Sequence, residues 1–136
     1  MNALLRGFQQ FWRENSEIYT SQAKNYTEAL PHLVLMGFLQ RVVNGGGRIT
    51  REGAVGRGRL DLLVEFRGGR YPVELKIKGH SSRPQTIAQL LDYMDGYGLK
   101  EGWLVTFDRS PDLGWERKLT WEDRSEGGTT IHLVGA

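Results

Sequence analysis

Asp61, Glu74 and Lys76, in the stretch RLDLLVEFRGGRYPVELKIKG (residues 59–79), are the side chains best suited to chemistry in this chain. Two carboxylates and an ammonium brought together suit a hard divalent cation beside a phosphate. Carboxylate oxygens bind Mg²⁺, which keeps several waters and takes phosphate oxygens as further ligands. Such an ion makes a bound water a better nucleophile and neutralises charge building on a phosphoryl group. A neighbouring lysine orients that water or stabilises the developing charge.

Whether the three meet depends on the elements that carry them. The stretch alternates apolar and polar on both sides of Gly68-Gly69, a pair suited to the positive φ angles of a tight hairpin turn. With the two glycines as loop residues, Arg67 pairs with Arg70. Leu60, Leu62, Val64 and Phe66 then lie opposite Ile77, Leu75, Val73 and Tyr71, so one face is wholly apolar. On the other face Asp61 stands directly opposite Lys76, with Glu74 as its diagonal neighbour. Cross-strand neighbours lie about 5 Å apart and diagonals about 7–8 Å, close enough for the tips to converge. The same pattern is also met by a solvated cross-strand ion pair worth about 0.2–1 kcal/mol, and on the hairpin alone that is the simpler account.

Around the hairpin, apolar spacing predicts a helix over residues 3–19, with Leu4, Phe8, Phe11 and Trp12 at helical intervals. A second helix is expected from Thr27 to Asn44, where NGGGR turns the chain. A strand follows over 48–54. RPQTIAQLLDYMDGYG reads as a helix with an Ile87, Leu90, Leu91 and Met94 stripe, and GWLVTF as a strand buried on both faces. Weaker strands are expected near 115–121, with Trp115 and Trp121 in phase, and at 129–134, where His132 would sit on an edge. This order describes an α/β domain around one mixed central sheet flanked by helices.

These residues resemble the PD-(D/E)XK nuclease superfamily. In GRGRLDLLVEF…YPVELKIKG, Asp61 matches the first acid of its signature, Glu74 the second and Lys76 the lysine, with Leu60 in place of the usual proline. QLLDY resembles the Q-x-x-x-Y motif of the branch holding helicase-associated exonucleases and places Gln89 and Tyr93 one helical turn apart. From about Phe8 to Val134 the chain looks closest to nuclease-like domains at the C-terminal end of AAA-ATPase-like prokaryotic proteins. The resemblance implies a restriction-endonuclease-like core, α-β-β-β-α-β plus edge strands, in a single domain over 1–136, with 1–22 as a helical extension or former linker.

It also implies a Mg²⁺- or Mn²⁺-dependent deoxyribonuclease, with metal ligands Asp61, Glu74 and the main-chain carbonyl of Leu75. Lys76 would position the attacking water and Gln89 would support the site. Glu28 fits the glutamate that many members carry on the helix before the first core strand. Arg57, Arg59, Lys78 and Tyr93 are the expected nucleic-acid contacts. DNA is the implied partner, together with an ATPase domain or subunit absent from this chain and a second copy in a homodimer. The alternative within the same fold is a module without cleavage that binds DNA or docks the ATPase.

The 136 residues suit one domain with one sizeable core. Hydrophobic content of 39% and charged content of 25% are ordinary globular values. Zero cysteines exclude disulfides, zinc ribbons and thiol nucleophiles and suit a reducing, cytoplasmic setting. The first residues lack a signal-peptide pattern, and no apolar run approaches the roughly 18 residues of a membrane span. The formal net charge is only +2, but Arg48, Arg51, Arg57 and Arg59 crowd one short segment, which permits contact with nucleic acid.

Overall fold

In the first helix Leu5, Phe8 and Trp12 recur at helical spacing, and all three are at most 1% exposed. The computed structural model describes residues 1–20, 29–44, 46–51, 60–79, 83–110 and 113–136. Its elements are α1 (Asn2–Thr20), α2 (Ala29–Val43), β1 (Gly47–Arg51), β2 (Leu62–Phe66), β3 (Gly69–Ile77), α3 (Arg83–Gly96), β4 (Glu101–Phe107), α4 (Trp115–Lys118), β5 (Trp121–Glu126) and β6 (Thr129–Gly135). Among the described residues the strands form one six-stranded sheet in the order β1-β2-β3-β4-β6-β5. The β1-β2-β3 meander is antiparallel, β3, β4 and β6 run parallel, and β5 closes the far edge antiparallel to β6. This is a mixed α/β architecture with helices on both faces.

Strand alternation divides the interior in two. On one face Val73, Leu75, Ile77, Trp103, Val105 and Phe107 pack against α1 and α2. Phe8 meets Phe38 and Phe107 edge-on, with ring centroids 5.7 and 6.0 Å away. Through Leu5, Phe8 and Trp12, α1 is part of the main core. On the other face Leu90, Tyr93 and Met94 of α3 cover Leu104, Ile131 and Leu133. The close approach of α3 requires a glycine beneath it, since a Cβ on Gly102 would come within 2.6 Å of the Met94 sulfur and 3.2 Å of Leu90. Glu74 and Lys76, out of phase with Val73, Leu75 and Ile77, face the α3 side.

The structure corrects the expected hairpin register. Leu62 pairs with Val73, Val64 with Tyr71, Glu65 with Arg70 and Phe66 with Gly69, a slip of two residues. The loop residues are Arg67 and Gly68, both left-handed at φ 50° and 80°, as a two-residue primed turn demands. Gly69 opens β3, and the ring of Tyr71 lies over it, where a Cβ would collide with that ring. An even slip leaves every side chain on its expected face but changes its partner. Leu60 is an exception: the chain bends at Asp61, and Leu60 joins the α3 cluster instead of the main core.

The segment expected as a strand over 115–121 is the four-residue helix α4 followed by β5, so Trp115 and Trp121 lie on different elements. His132 belongs to an interior strand, since β6 lies between β4 and β5. No helix among the described residues is long and apolar enough to cross a membrane.

Candidate functional site

The two-residue slip places Asp61, at the entry to β2, against Glu74 of β3. The Asp61 amide donates to Glu74 Oε1 over 3.3 Å. The Leu75 amide donates to Asp61 Oδ2 over 2.8 Å. β2 pairs with β3 only as far as Val73, so the next part of that β3 edge is taken by the Asp61 side chain rather than by backbone. Glu74 is 5% exposed. Its carboxyl is pushed up to about 9, first by burial, then by the charge of Asp61 and a side-chain hydrogen bond with it. Two carboxylates that cannot both ionise at neutral pH without cost are the electrostatic condition that a divalent cation relieves.

Lys76 follows Glu74 on the same face of β3, about 7 Å along the strand. It is buried, and its ammonium lies below the usual lysine range, first through desolvation and then through the nearby Arg83 guanidinium. The expected direct opposition of Asp61 and Lys76 is thus replaced by Asp61 against Glu74, with Lys76 as the next neighbour. A two-residue turn set one position earlier, at Arg67-Gly68 instead of Gly68-Gly69, does this, because every pairing in a hairpin is counted from its loop.

Lys76 also opens onto a cavity of about 400 Å³ at the carboxyl ends of β3, β4 and β6. Lys78, Arg83, Arg117 and Lys118 supply four further cations to its walls, against the carboxylate of Asp108, among the described residues. Lys78 Nζ donates to Asp108 Oδ2 over 3.1 Å. Burial would raise the Asp108 carboxyl, but hydrogen bonds from Ser110 and the Lys78 ammonium together hold it below the usual range.

The remaining expected residues fall as follows. Gln89 is exposed on α3, and no hydrogen bond joins it to Asp61 or Glu74 among the described residues. Tyr93 is 6% exposed and packs in the α3 cluster, its ring 4.7 Å from that of Tyr97. Burial, then Tyr97, raises its hydroxyl pKa. It is a core residue in place of the surface contact expected of it. Glu28, Arg57 and Arg59 lie outside the described residues.

Sequence reasoning missed Arg83, Arg117, Lys118 and Asp108 as a group, because three elements distant in sequence supply them. The adjacent Arg117-Lys118 pair was a usable signal, set in a run otherwise rich in acids. Gln9 was another, a polar residue inside the apolar stripe of α1. Its side-chain amide donates to the carbonyls of Thr120 and Gly135, over 3.0 and 2.7 Å, and ties the α4–β5 connection to the end of β6.

A second titratable cluster lies across the sheet. His132 is 5% exposed, with Nδ1 2.6 Å from Asp123 Oδ1 and Nε2 2.8 Å from Glu101 Oε2. Its ring stacks on Trp103 at 5.1 Å. The hydrogen bond with His132, foremost among several causes, holds the Asp123 carboxyl below the usual range.

No family model, curated protein or solved structure matches the chain.

Proposed function

We infer that this protein is a metal-dependent nuclease that hydrolyses phosphodiester bonds of DNA, built on a restriction-endonuclease-like version of its α/β fold. The observation that carries the reading is the Asp61–Glu74 pair, set together by two backbone-anchored hydrogen bonds, with Lys76 next on the same strand face. The resemblance of the D…E-x-K pattern to the PD-(D/E)XK signature supports it.

The donor set fits one kind of ion. It consists of two hard carboxylates, and no group of three or more His, Cys, Asp or Glu able to hold a metal occurs among the described residues. Hard carboxylate oxygens are not the sulfur and nitrogen donors that zinc prefers. The set suits Mg²⁺ or Mn²⁺, held by one or two carboxylates with waters and substrate phosphate completing the shell. When bound, the ion polarises the phosphoryl group and acidifies water. Asp61 and Glu74 would hold it. The Leu75 amide points to Asp61, and in an extended strand the carbonyl of the same residue leaves by the same edge, so Leu75 oxygen is available as a third ligand. Lys76 orients the attacking water from beside Glu74, and its ammonium offsets charge on the non-bridging phosphate oxygens.

The reading is tested with plasmid and labelled single-stranded DNA, with and without Mg²⁺ or Mn²⁺. Cleavage should require the metal, and Asp61→Asn or Lys76→Ala should slow it by about 10²–10⁴-fold. Wild type cutting no faster than Asp61→Asn would sink the proposal.

A further inference from the structure

The basic cavity beside Lys76 is separate from the carboxylate pair and has its own construction. Its floor is the carboxyl ends of three parallel strands, where ligands sit in open α/β sheets. One wall is the start of α3, with Arg83, and the opposite wall is α4, with Arg117 and Lys118. The α4 wall is fixed in place. Gly135 donates its amide to the Thr120 carbonyl over 2.9 Å, and Gln9 clamps both residues from beneath. A Cβ on Gly135 would collide with the backbone of Lys118 and the side chain of Thr120, so the connection crosses directly over β6. Lys118 is held against the Trp115 ring, its ammonium 5.0 Å from the centroid.

The charge of the cavity is far from balanced. Asp108 is engaged by Lys78, and Arg83 reaches Glu122 only at 4.0 Å, with both side chains about half exposed. Besides Lys76, four cations line the space and one carboxylate does, among the described residues. A single phosphate monoester carries at most two negative charges at neutral pH, which leaves this excess unmet. Consecutive phosphodiesters, at one charge each, match it better. Hydroxyls of Thr106 and Thr120 on the lining add neutral donors of the kind that contact phosphate oxygens.

We propose that this cavity is a binding site for the phosphodiester backbone of a polynucleotide strand, seating two or more consecutive phosphates next to the Asp61–Glu74 centre. The strand is the substrate of the hydrolysis proposed above, and to that extent the inference rests on that reading. Arg117 and Lys118 grip it from α4, while Lys78 and Arg83 grip it from the sheet and α3.

The test is binding of a fluorescent single-stranded oligonucleotide to the full chain in EDTA, over a salt series. The double substitution Arg117→Gln/Lys118→Gln keeps part of both side-chain stems on a short surface helix, and melting curves check that it folds. It should weaken binding about tenfold or more and lower the slope of log K against log salt by about 1.4, at ~0.7 per lost contact on single strands. Should melting show misfolding, Arg83→Gln on α3 replaces it, with a slope loss of about 0.7. Unchanged affinity and slope would overturn the proposal. So would displacement of the oligonucleotide by inorganic phosphate at an equal concentration of phosphate groups, since the cavity would then be a site for a free anion. The two readings fail separately. Asp61→Asn should retain strand binding in EDTA while losing cleavage. A wild type that binds with the expected slope but never cuts would remove the nuclease reading alone. A double variant that binds and cuts like wild type would remove the cavity alone.

Discussion

Two places among the described residues set carboxylates close together, and they answer the repulsion in opposite ways. At Glu101 and Asp123 the imidazole of His132 stands between, within 2.8 Å of each. Each of its two ring nitrogens lies within hydrogen-bonding distance of one acid, and stacking on Trp103 fixes its orientation. The cluster ties β4, β5 and β6 together, and each acid has a hydrogen-bonding partner within the fold. At Asp61 and Glu74 the backbone brings the acids together, and burial adds to the conflict instead of relieving it. A cluster that answers its own charges is structural. One that leaves like charges to be met from outside is the better candidate for a ligand site, and here it adjoins a cavity of opposite sign.

That contrast can be broken most sharply by exchanging which cluster is damaged. Asp61→Asn should abolish metal-dependent cleavage, by about 10²–10⁴-fold, while leaving the melting temperature at or above that of wild type without metal. His132→Ala should do the reverse. It should cost about 2–4 kcal/mol in urea denaturation, through two hydrogen bonds to charged groups and a lost ring stack, while the folded fraction still cuts DNA. If His132→Ala abolished cleavage at full stability, the division of roles would be wrong.

A finer test uses pH. The Glu74 carboxyl is raised to about 9 in the folded protein from an ordinary value near 4.5. Between those values the folded state binds the extra proton, so metal-free stability should be greatest below about 4.5 with respect to this group and fall as pH rises toward 9. The slope is at most ~1.4 kcal/mol per pH unit. Glu74→Gln should flatten that fall. Added Mg²⁺ should raise the wild-type melting temperature more at pH 8 than at pH 5, where protons compete for the carboxylates. Equal effects at both pH values would count against a metal at this pair. The smallest effect is expected at Arg48, whose 3.0 Å pair with Glu65 is mostly exposed. Arg48→Ala should change stability by less than about 0.5 kcal/mol and serves as a control for charge removal.

The helices and most strands were legible in the sequence because local periodicity encodes them. Leu4, Phe8, Phe11 and Trp12 recur at helical spacing, and Phe8 and Trp12 are buried on α1, while GWLVTF fills an interior strand. Where local signals competed, the reading failed. The 115–121 segment alternates well enough for a strand, but α4 folds over Gly135 and the strand starts at Trp121. Tyr93 shares a motif with Gln89, yet the α3 stripe buries the tyrosine and leaves the glutamine in solvent.

The sequence by itself determined that Glu74 and Lys76 share one face of a strand whose hairpin partner begins beside Asp61. A period of two sets the face, and no even slip can change it. Tertiary structure decided which of them touch. The turn sits at Arg67-Gly68, and this register makes an Asp61–Glu74 pair, with Lys76 beside it, of the expected Asp61–Lys76 pair. It alone decided that Arg83 and Arg117-Lys118 meet Lys76 around one cavity, because pairing between distant elements follows from the packing of helices on the sheet and has no period that a single chain displays.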